Sequence, residues 1–221
     1  MLIYPPVVDR TGRPLSRGII VGVAGPIAGG KSTVGHFLAG LGAVVLDADS
    51  LGHRLIRMPD IAARLVDAFG DGILDQCGLP DRWKLGTICF QDADKLMRLN
   101  EILHPLIVGD MQKEVQEARR AGRMLVINAA LLFETGMHEF CDYIILVMAD
   151  ERVREERAIS KRGWPEGEMK RREAFQYPLW RKLQDSSYVI ENNGSLEELR
   201  DAVEKVYKEI IDGQTLPNST S

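Results

Sequence analysis

The chain has 221 residues, of which 45% are hydrophobic and 27% are charged, and its formal net charge is −4. This size and composition are typical of one soluble globular domain with insertions, and the acidic balance argues against a nucleic-acid binder. The absence of any apolar run near the ~18 residues of a membrane span, of a signal-peptide pattern and of C-x-x-C spacing predicts a cytoplasmic protein with reduced thiols and no membrane partner.

The first elements of the chain surround a phosphate-binding motif. Residues 1–17 are rich in proline and predict an irregular extension, whereas the apolar run over residues 18–24 predicts a buried strand. Residues 25–32 then read Gly-Pro-Ile-Ala-Gly-Gly-Lys-Ser, a complete G-x-x-x-x-G-K-[ST] loop. A helix predicted from Ser32 to Leu41 follows, so the loop leads into a helix N-terminus, which attracts anions.

This loop predicts contacts to a nucleotide triphosphate. Its glycines allow a tight turn whose backbone N–H groups surround a phosphate, Lys31 would reach the β- and γ-phosphates, and Ser32 would ligate Mg²⁺. The alternative is an ordinary Gly-rich turn followed by Lys and Ser, which the flanking strand and helix make less favoured.

A second buried strand is predicted at residues 43–46 and ends in Asp47-Ala48-Asp49. If the strand persists, Asp47 and Asp49 lie on the same side of it. One carboxylate could then accept a hydroxyl proton while the other orients Mg²⁺-bound water. The alternative is that these residues cap the next helix.

Two insertions interrupt the remaining strands. Residues 51–121 are predicted to be helical, with an apolar stripe that favours a core over a ligand surface. Residues 150–184 carry many arginines and lysines, which usually indicate a solvated face but could here close over a triphosphate. Apolar strands are predicted at residues 124–127, 143–148 and 188–190, and a last helix at residues 196–211 with Ser195 as its N-cap.

Continuous apolar strands that alternate with helices predict an α/β fold with a five-stranded parallel sheet flanked by helices. The phosphate-binding loop and the two aspartates both follow strand ends, where parallel sheets collect ligands. The predicted core comprises residues 18–50, 122–149 and 185–213, with a disordered tail at residues 214–221.

Several ordered motifs resemble the dephospho-coenzyme A kinases, a family of P-loop kinases. The loop through Thr33, the Asp47-Ala48-Asp49 segment, and the stretch containing Arg82, Leu85 and Phe90 are similar to elements of that family. More specific are Leu103-His104-Pro105-Leu106-Ile107, Leu131-Leu132-Phe133-Glu134, Arg172 with Gln176, and Val189 to Gly194. The likeness extends from about Ile19 to Ile210.

The resemblance implies a nucleotide-kinase-like P-loop fold that transfers a phosphoryl group from ATP, with Mg²⁺, to the ribose 3′-hydroxyl of dephospho-coenzyme A. Residues 51–121 would bind this small-molecule substrate and residues 150–184 would form a lid. The catalytic residues would be Asp49 as general base, Lys31, and Arg157 as charge stabiliser. Ser32 and Asp47 would hold the metal. ATP would contact Gly25, Pro26, Ile27, Ala28, Gly29, Gly30, Lys31, Ser32, Thr33, Arg157, Arg162 and Asn192. The acceptor would contact Asp49, Arg82, His104, Pro105, Leu131 and Glu134.

The chain departs from this family pattern at a few positions. Asn128 and Ala130 stand where the family often has Asp and Pro, and Pro26 and Ala28 replace usual loop glycines. Arg154 stands where a Gln often precedes the lid arginine. Without the resemblance, His104 before a proline is favoured as a packing residue.

Two other functions are compatible with the loop. One is another small-molecule kinase, such as a nucleoside or nucleoside monophosphate kinase, since the acceptor pocket sets specificity. The other is a nucleotide-dependent binding or switch module, although the sequence has no Asn-Lys-x-Asp guanine motif.

Overall fold

The computed structural model describes residues 17–89 and 92–213, including the backbone but not the side chain of Asp49. Most of the predicted N-terminal extension, Phe90 of the Arg82 stretch and the predicted tail lie outside the described residues.

The secondary structure alternates strands and helices. The strands are β1 (Ile19–Ala24), β2 (Val44–Asp47), β3 (Met124–Asn128), β4 (Tyr143–Met148) and β5 (Tyr188–Glu191). The helices are α1 (Lys31–Gly40), α2 (Ala48–Leu55), α3 (Pro59–Phe69), α4 (Arg82–Cys89), α5 (Ala93–Arg120), α6 (Glu151–Arg162), α7 (Glu168–Glu173), α8 (Leu179–Gln184) and α9 (Leu196–Gly213). Short 3-10 turns lie at Asp71–Ile73 and Met137–Phe140.

The five described strands form one sheet in the order β2-β3-β1-β4-β5, which confirms the predicted α/β architecture. β1 is the central strand and pairs in parallel with β3, with Ile19 opposite Met124, and with β4, with Val21 opposite Tyr143. All six residues of β1 are buried, because a central parallel strand is covered on both faces. The phosphate-binding loop therefore begins at the end of the most buried strand.

The chain divides into two compact units. Among the described residues, one unit consists of those up to Leu46 together with those from Glu114 onward, and the other is Asp47–Lys113. The first unit has its core between the sheet and two helices, where Val34 and Leu38 of α1 and Val203 of α9 are fully buried. The predicted capping of α9 is confirmed, since Ser195 Oγ accepts from the Glu198 N–H at 3.2 Å and Glu198 Oε2 accepts from the Ser195 N–H at 2.7 Å.

The second unit is helical, as expected for this insertion. Its core brings Ile61 and Leu65 of α3 against Ile102 of α5. The apolar stripe of α5 therefore contributes to a core, and the assignment of this unit to substrate binding stays a prediction.

The three cysteines are free thiols in different environments. Cys77 is exposed, Cys89 is buried and Cys141 is partly buried. Burial raises the pKa of the Cys141 thiol to about 12. Within the described ranges, no helix is both long and apolar enough to cross a lipid bilayer.

Candidate active site

The phosphate-binding loop needs glycine at two positions with positive φ. Gly25 has φ +144°, and a Cβ there would lie 2.2 Å from the Val147 carbonyl oxygen of β4. Gly30 has φ +107°, and a Cβ there would lie 2.0 Å from Asn192 Nδ2. Both backbone geometry and close neighbours therefore exclude a larger side chain, which explains why the chain has glycine at these positions.

Ala28 is strained in the middle of the loop. It has φ +57°, the only positive φ among the described non-glycine residues. The left-handed conformation costs an alanine about 1 kcal/mol, which a glycine would not lose. Alanine in place of the usual glycine therefore destabilises this loop conformation, and the surrounding contacts must offset that free energy.

Lys31 folds back over the loop that precedes it. Its Nζ donates hydrogen bonds to the carbonyl oxygens of Gly25 at 3.0 Å and Pro26 at 2.9 Å. Lys31, Ser32 and Thr33 form the first turn of α1. The N-cap residue is Gly30, which has no side chain that could cap the N–H groups of this turn. A helix N-terminus of this kind favours a bound anion.

Arg157 and Asn192 are joined to the loop by hydrogen bonds. The buried Asn192 side chain donates from Nδ2 to the Gly29 carbonyl oxygen at 2.8 Å, and Arg157 Nη2 donates to the Asn192 carbonyl oxygen at 3.0 Å. Arg157 Nη1 is buried and makes no hydrogen bond to any described residue. An unsatisfied buried guanidinium N–H is costly unless a ligand accepts from it. The structure thus brings these three predicted ATP contacts together.

Arg162 is positioned differently. Its guanidinium carbon lies 5.0 Å from the centre of the Trp164 ring, and Arg172 lies over the same ring at 4.3 Å. These cation–π contacts hold Arg162 at the end of α6. Its predicted contact with ATP stays a prediction.

Glu168 links the residues that follow α6. It accepts hydrogen bonds from Arg171 at 2.8 Å and Arg172 at 2.6 Å. The Arg171 hydrogen bond, assisted by Arg172 and opposed by desolvation, lowers the pKa of Glu168 to about 2.

We expect Glu168→Gln to lower the thermal unfolding midpoint at pH 7. Because the folded-state pKa is depressed, the charged carboxylate stabilises the fold fully above its ordinary pKa of about 4.5, and this stabilisation is lost as the pH falls towards about 2. The difference between wild type and variant should therefore shrink below pH 4.5 in thermal melts followed by circular dichroism. A difference that is constant from pH 7 to pH 3 would contradict the ion-pair explanation.

The segment after β3 contains a buried ion pair. Glu134 Oε1 accepts from Lys182 Nζ at 2.9 Å and from the Tyr177 N–H at 2.6 Å, and Lys182 is only 2% exposed. Glu134 Oε2 is buried without a hydrogen-bond partner among the described residues.

A cavity of about 360 Å³ adjoins the Glu134–Lys182 pair and is lined by Phe133, Glu134, Gly136, His138, Glu139, Tyr177, Arg181 and Asp185. Leu131 is 37% exposed, whereas Leu132 is buried.

The acidic pair lies in a strand-to-helix transition. β2 ends at Asp47, whose Oδ1 accepts from the Ser50 N–H at 2.7 Å and caps α2. Asp49 is the second residue of α2, so the condition that the strand persists through both aspartates is wrong. The helix forms instead because an aspartate at the N-cap satisfies a free N–H of the first turn.

Three further predicted acceptor contacts lie on helices of the second unit. Arg82 begins α4, and His104 and Pro105 lie inside α5. A proline in a helix interior costs about 3 kcal/mol, so helix propensity does not explain its presence.

Two charged residues of the site had no signal in the sequence. Glu173 contacts the loop, and the buried Lys182 pairs with Glu134, although both lie in a charged segment that usually indicates a solvated face. Only their partners, distant in sequence, distinguish them from exposed charges.

Comparisons with known proteins agree with the motifs. Residues 19–198 match the family model described as dephospho-CoA kinase. The "Dephospho-CoA kinase" of Aquifex aeolicus is 40% identical over 191 residues, which is 86% of this chain and 96% of the relative.

Two solved structures share the fold. "TT1252 from Thermus thermophilus" has a TM-score of 0.74 and 31% identity, over 88% of this chain and 99% of that one. The "Dephospho-CoA kinase from Campylobacter jejuni" has a TM-score of 0.67 over 89% of this chain and 98% of that one. At 23% identity, it supports the fold alone.

Proposed function

The chain belongs to the dephospho-CoA kinase family and catalyses the ATP-dependent phosphorylation of dephospho-CoA in coenzyme A biosynthesis, and from this premise we propose that the acceptor is the ribose 3′-hydroxyl. We further propose that ATP binds in the loop of residues 25–33. The observation that supports this assignment is the buried Arg157 Nη1, which has no hydrogen-bond partner among the described residues and belongs to the same hydrogen-bonded group as the loop.

The proposed reaction is a single phosphoryl transfer. The 3′-hydroxyl loses its proton to the Asp49 carboxylate and forms a bond to the γ-phosphorus, while the bond from that phosphorus to the β–γ bridging oxygen breaks and ADP leaves. Lys31 exchanges its two carbonyl partners for phosphate oxygens, and Arg157 binds the charge that develops on the transferred group. Contacts of dephospho-CoA with Arg82, His104, Pro105, Leu131 and Glu134 belong to the same proposal.

The residues present fit Mg²⁺ held largely by the nucleotide. The described residues contain no group of three or more His, Cys, Asp or Glu side chains that could hold a metal alone. Ser32 and Asp47 offer oxygen donors, which Mg²⁺ prefers, and ATP phosphates and water would complete its shell. Mg²⁺, when bound, would neutralise negative charge on the phosphates. We also propose a cytoplasmic location, which free thiols support.

The acceptor assay tests this function directly. The purified chain with Mg²⁺, ATP and dephospho-CoA should release ADP in a coupled assay, and activity should vanish with a chelator and return with added Mg²⁺. When nucleosides or nucleoside monophosphates replace dephospho-CoA as the acceptor, the release of ADP from ATP should stay at background. A dephospho-CoA analogue that lacks the 3′-hydroxyl should not be a substrate. Its turnover at the normal rate would overturn the proposed acceptor position.

A further inference from the structure

One ion pair contacts both backbone polar groups of Ile27, in the middle of the phosphate-binding loop. The Ile27 N–H donates to Glu173 Oε1 at 2.9 Å, and the Ile27 carbonyl oxygen accepts from Arg154 Nη1 at 3.2 Å. Glu173 and Arg154 pair with each other through these same two atoms. Glu173 ends α7 and Arg154 lies on α6, so two helices fix one loop residue.

The arginine of this pair is itself held in place. Arg154 is 8% exposed, its Nε donates to the Ala149 carbonyl oxygen at 3.1 Å, and its Nη1 lies 3.8 Å from Met169 Sδ. The Ile27 side chain is also buried, against Ala158 of α6 and Met169 of α7. A buried charge pair is a poor source of net stability, but in some proteins it fixes a single geometry, and removal of one partner leaves a buried charge uncompensated.

The residue held by this pair precedes the strained residue of the loop. Ala28 has the left-handed conformation that an alanine disfavours, so the unrestrained loop would tend to leave it. Because the Ile27 N–H donates to Glu173, this amide does not take part in phosphate binding. A glutamine in place of Arg154 is two bonds shorter, so its amide would lie near the Nε position beside the Ala149 carbonyl and would lose both the Ile27 hydrogen bond and the charge that pairs with Glu173.

We propose that Arg154 and Glu173 are positioning residues that hold Ile27, and through it Ala28, in the conformation that binds ATP. Neither side chain needs to contact the nucleotide. The inference rests on the proposal that ATP binds in this loop. It adds that the Arg154–Glu173 ion pair holds the loop in its binding conformation before ATP arrives. Its effect therefore falls on ATP affinity rather than on the acceptor.

The test uses variants of the full chain. Arg154→Gln should raise the KM and Kd for MgATP about 10-fold, equivalent to about 1.4 kcal/mol, with the KM for dephospho-CoA unchanged. Ala28→Gly in the Arg154→Gln background should restore several-fold of the lost affinity, since glycine adopts the loop conformation without restraint. A merely structural role would lower the unfolding midpoint without this rescue. The matched control is Arg152→Gln on the same helix, whose ion pair with Glu156 is exposed and which should change neither constant.

A second variant keeps the test decisive if Arg154→Gln leaves Glu173 unpaired and fails to fold. Arg154→Gln combined with Glu173→Met removes both charges and should fold with weakened ATP binding, measured by calorimetry. Wild-type ATP affinity in this double variant, or no rescue by Ala28→Gly, would overturn the inference. Wild-type protein that binds no MgATP would instead overturn the proposed ATP site itself.

Discussion

Replacing Lys31 with alanine should lower kcat for dephospho-CoA phosphorylation by about 10²-fold or more, a loss of about 2.7 kcal/mol of transition-state stabilisation. The reason is the role proposed for Lys31, whose ammonium would be the positive charge that the loop places against the transferred phosphoryl group. In the structure this ammonium rests on two carbonyl oxygens of its own loop, so its place is prepared before a nucleotide binds. Steady-state kinetics at saturating MgATP measures the effect.

The fold should survive this change. Two hydrogen bonds from a half-buried side chain contribute about 1 kcal/mol each, and the loss of both lowers the unfolding midpoint of a chain of this size by about 4–8 °C. Lys205→Ala, at an exposed position of α9, is the control and should leave both kcat and the midpoint unchanged. Turnover of Lys31→Ala within threefold of wild type would remove Lys31 from the proposed catalytic residues.

Asp49→Asn should abolish most of the phosphoryl transfer while it spares ATP binding. Asparagine has nearly the same shape but cannot take the proton of the acceptor hydroxyl, and a positioned general base contributes roughly 10²–10⁴-fold. The Kd for MgATP should stay within about twofold, since the loop and Lys31 are untouched. Calorimetric titration of ATP together with single-turnover kinetics separates binding from chemistry.

The matched variant is Asp47→Asn. Asn is as good an N-cap as Asp, so α2 should keep its capping hydrogen bond to Ser50. Because a neutral amide binds Mg²⁺ more weakly than a carboxylate, this variant should need a higher Mg²⁺ concentration for half-maximal activity, without loss of the proposed base. If Asp49→Asn turns over normally and Asp47→Asn does not, the proton acceptor is Asp47.

The sheet could be predicted because parallel strands carry their own signal. Each of the five strands is a short apolar run bounded by turn residues, and the sequence places all five within a residue or two of their observed ends. The phosphate-binding loop was predictable from its G-x-x-x-x-G-K-[ST] pattern. The structure explains why the pattern needs its two glycines, since a Cβ at Gly25 or Gly30 would collide with a neighbour.

Local patterns fail where a distant partner decides the outcome. Nothing near Lys182 in the sequence indicates burial, which requires Glu134 and Tyr177 to supply and orient its counter-charge. Arg154 likewise stands in a run of charges, and only its contact with Ile27 distinguishes it from exposed neighbours. The conformation of the Asp47–Asp49 segment could be strand or helix, and the capping hydrogen bond from the Ser50 N–H to Asp47 favours the helix.

The position of β1 at the centre of the sheet has a consequence during synthesis on the ribosome. Its six residues, all buried in the folded protein, have no β3 to pair with until about 100 residues later, and at typical translation rates that delay is roughly 5–20 s. Asp47–Lys113 is continuous in sequence and can complete its own helical core in this interval. Nascent chains halted before Met124 should therefore need a chaperone to shield β1, whereas chains that include α9, released after Gly213, should not.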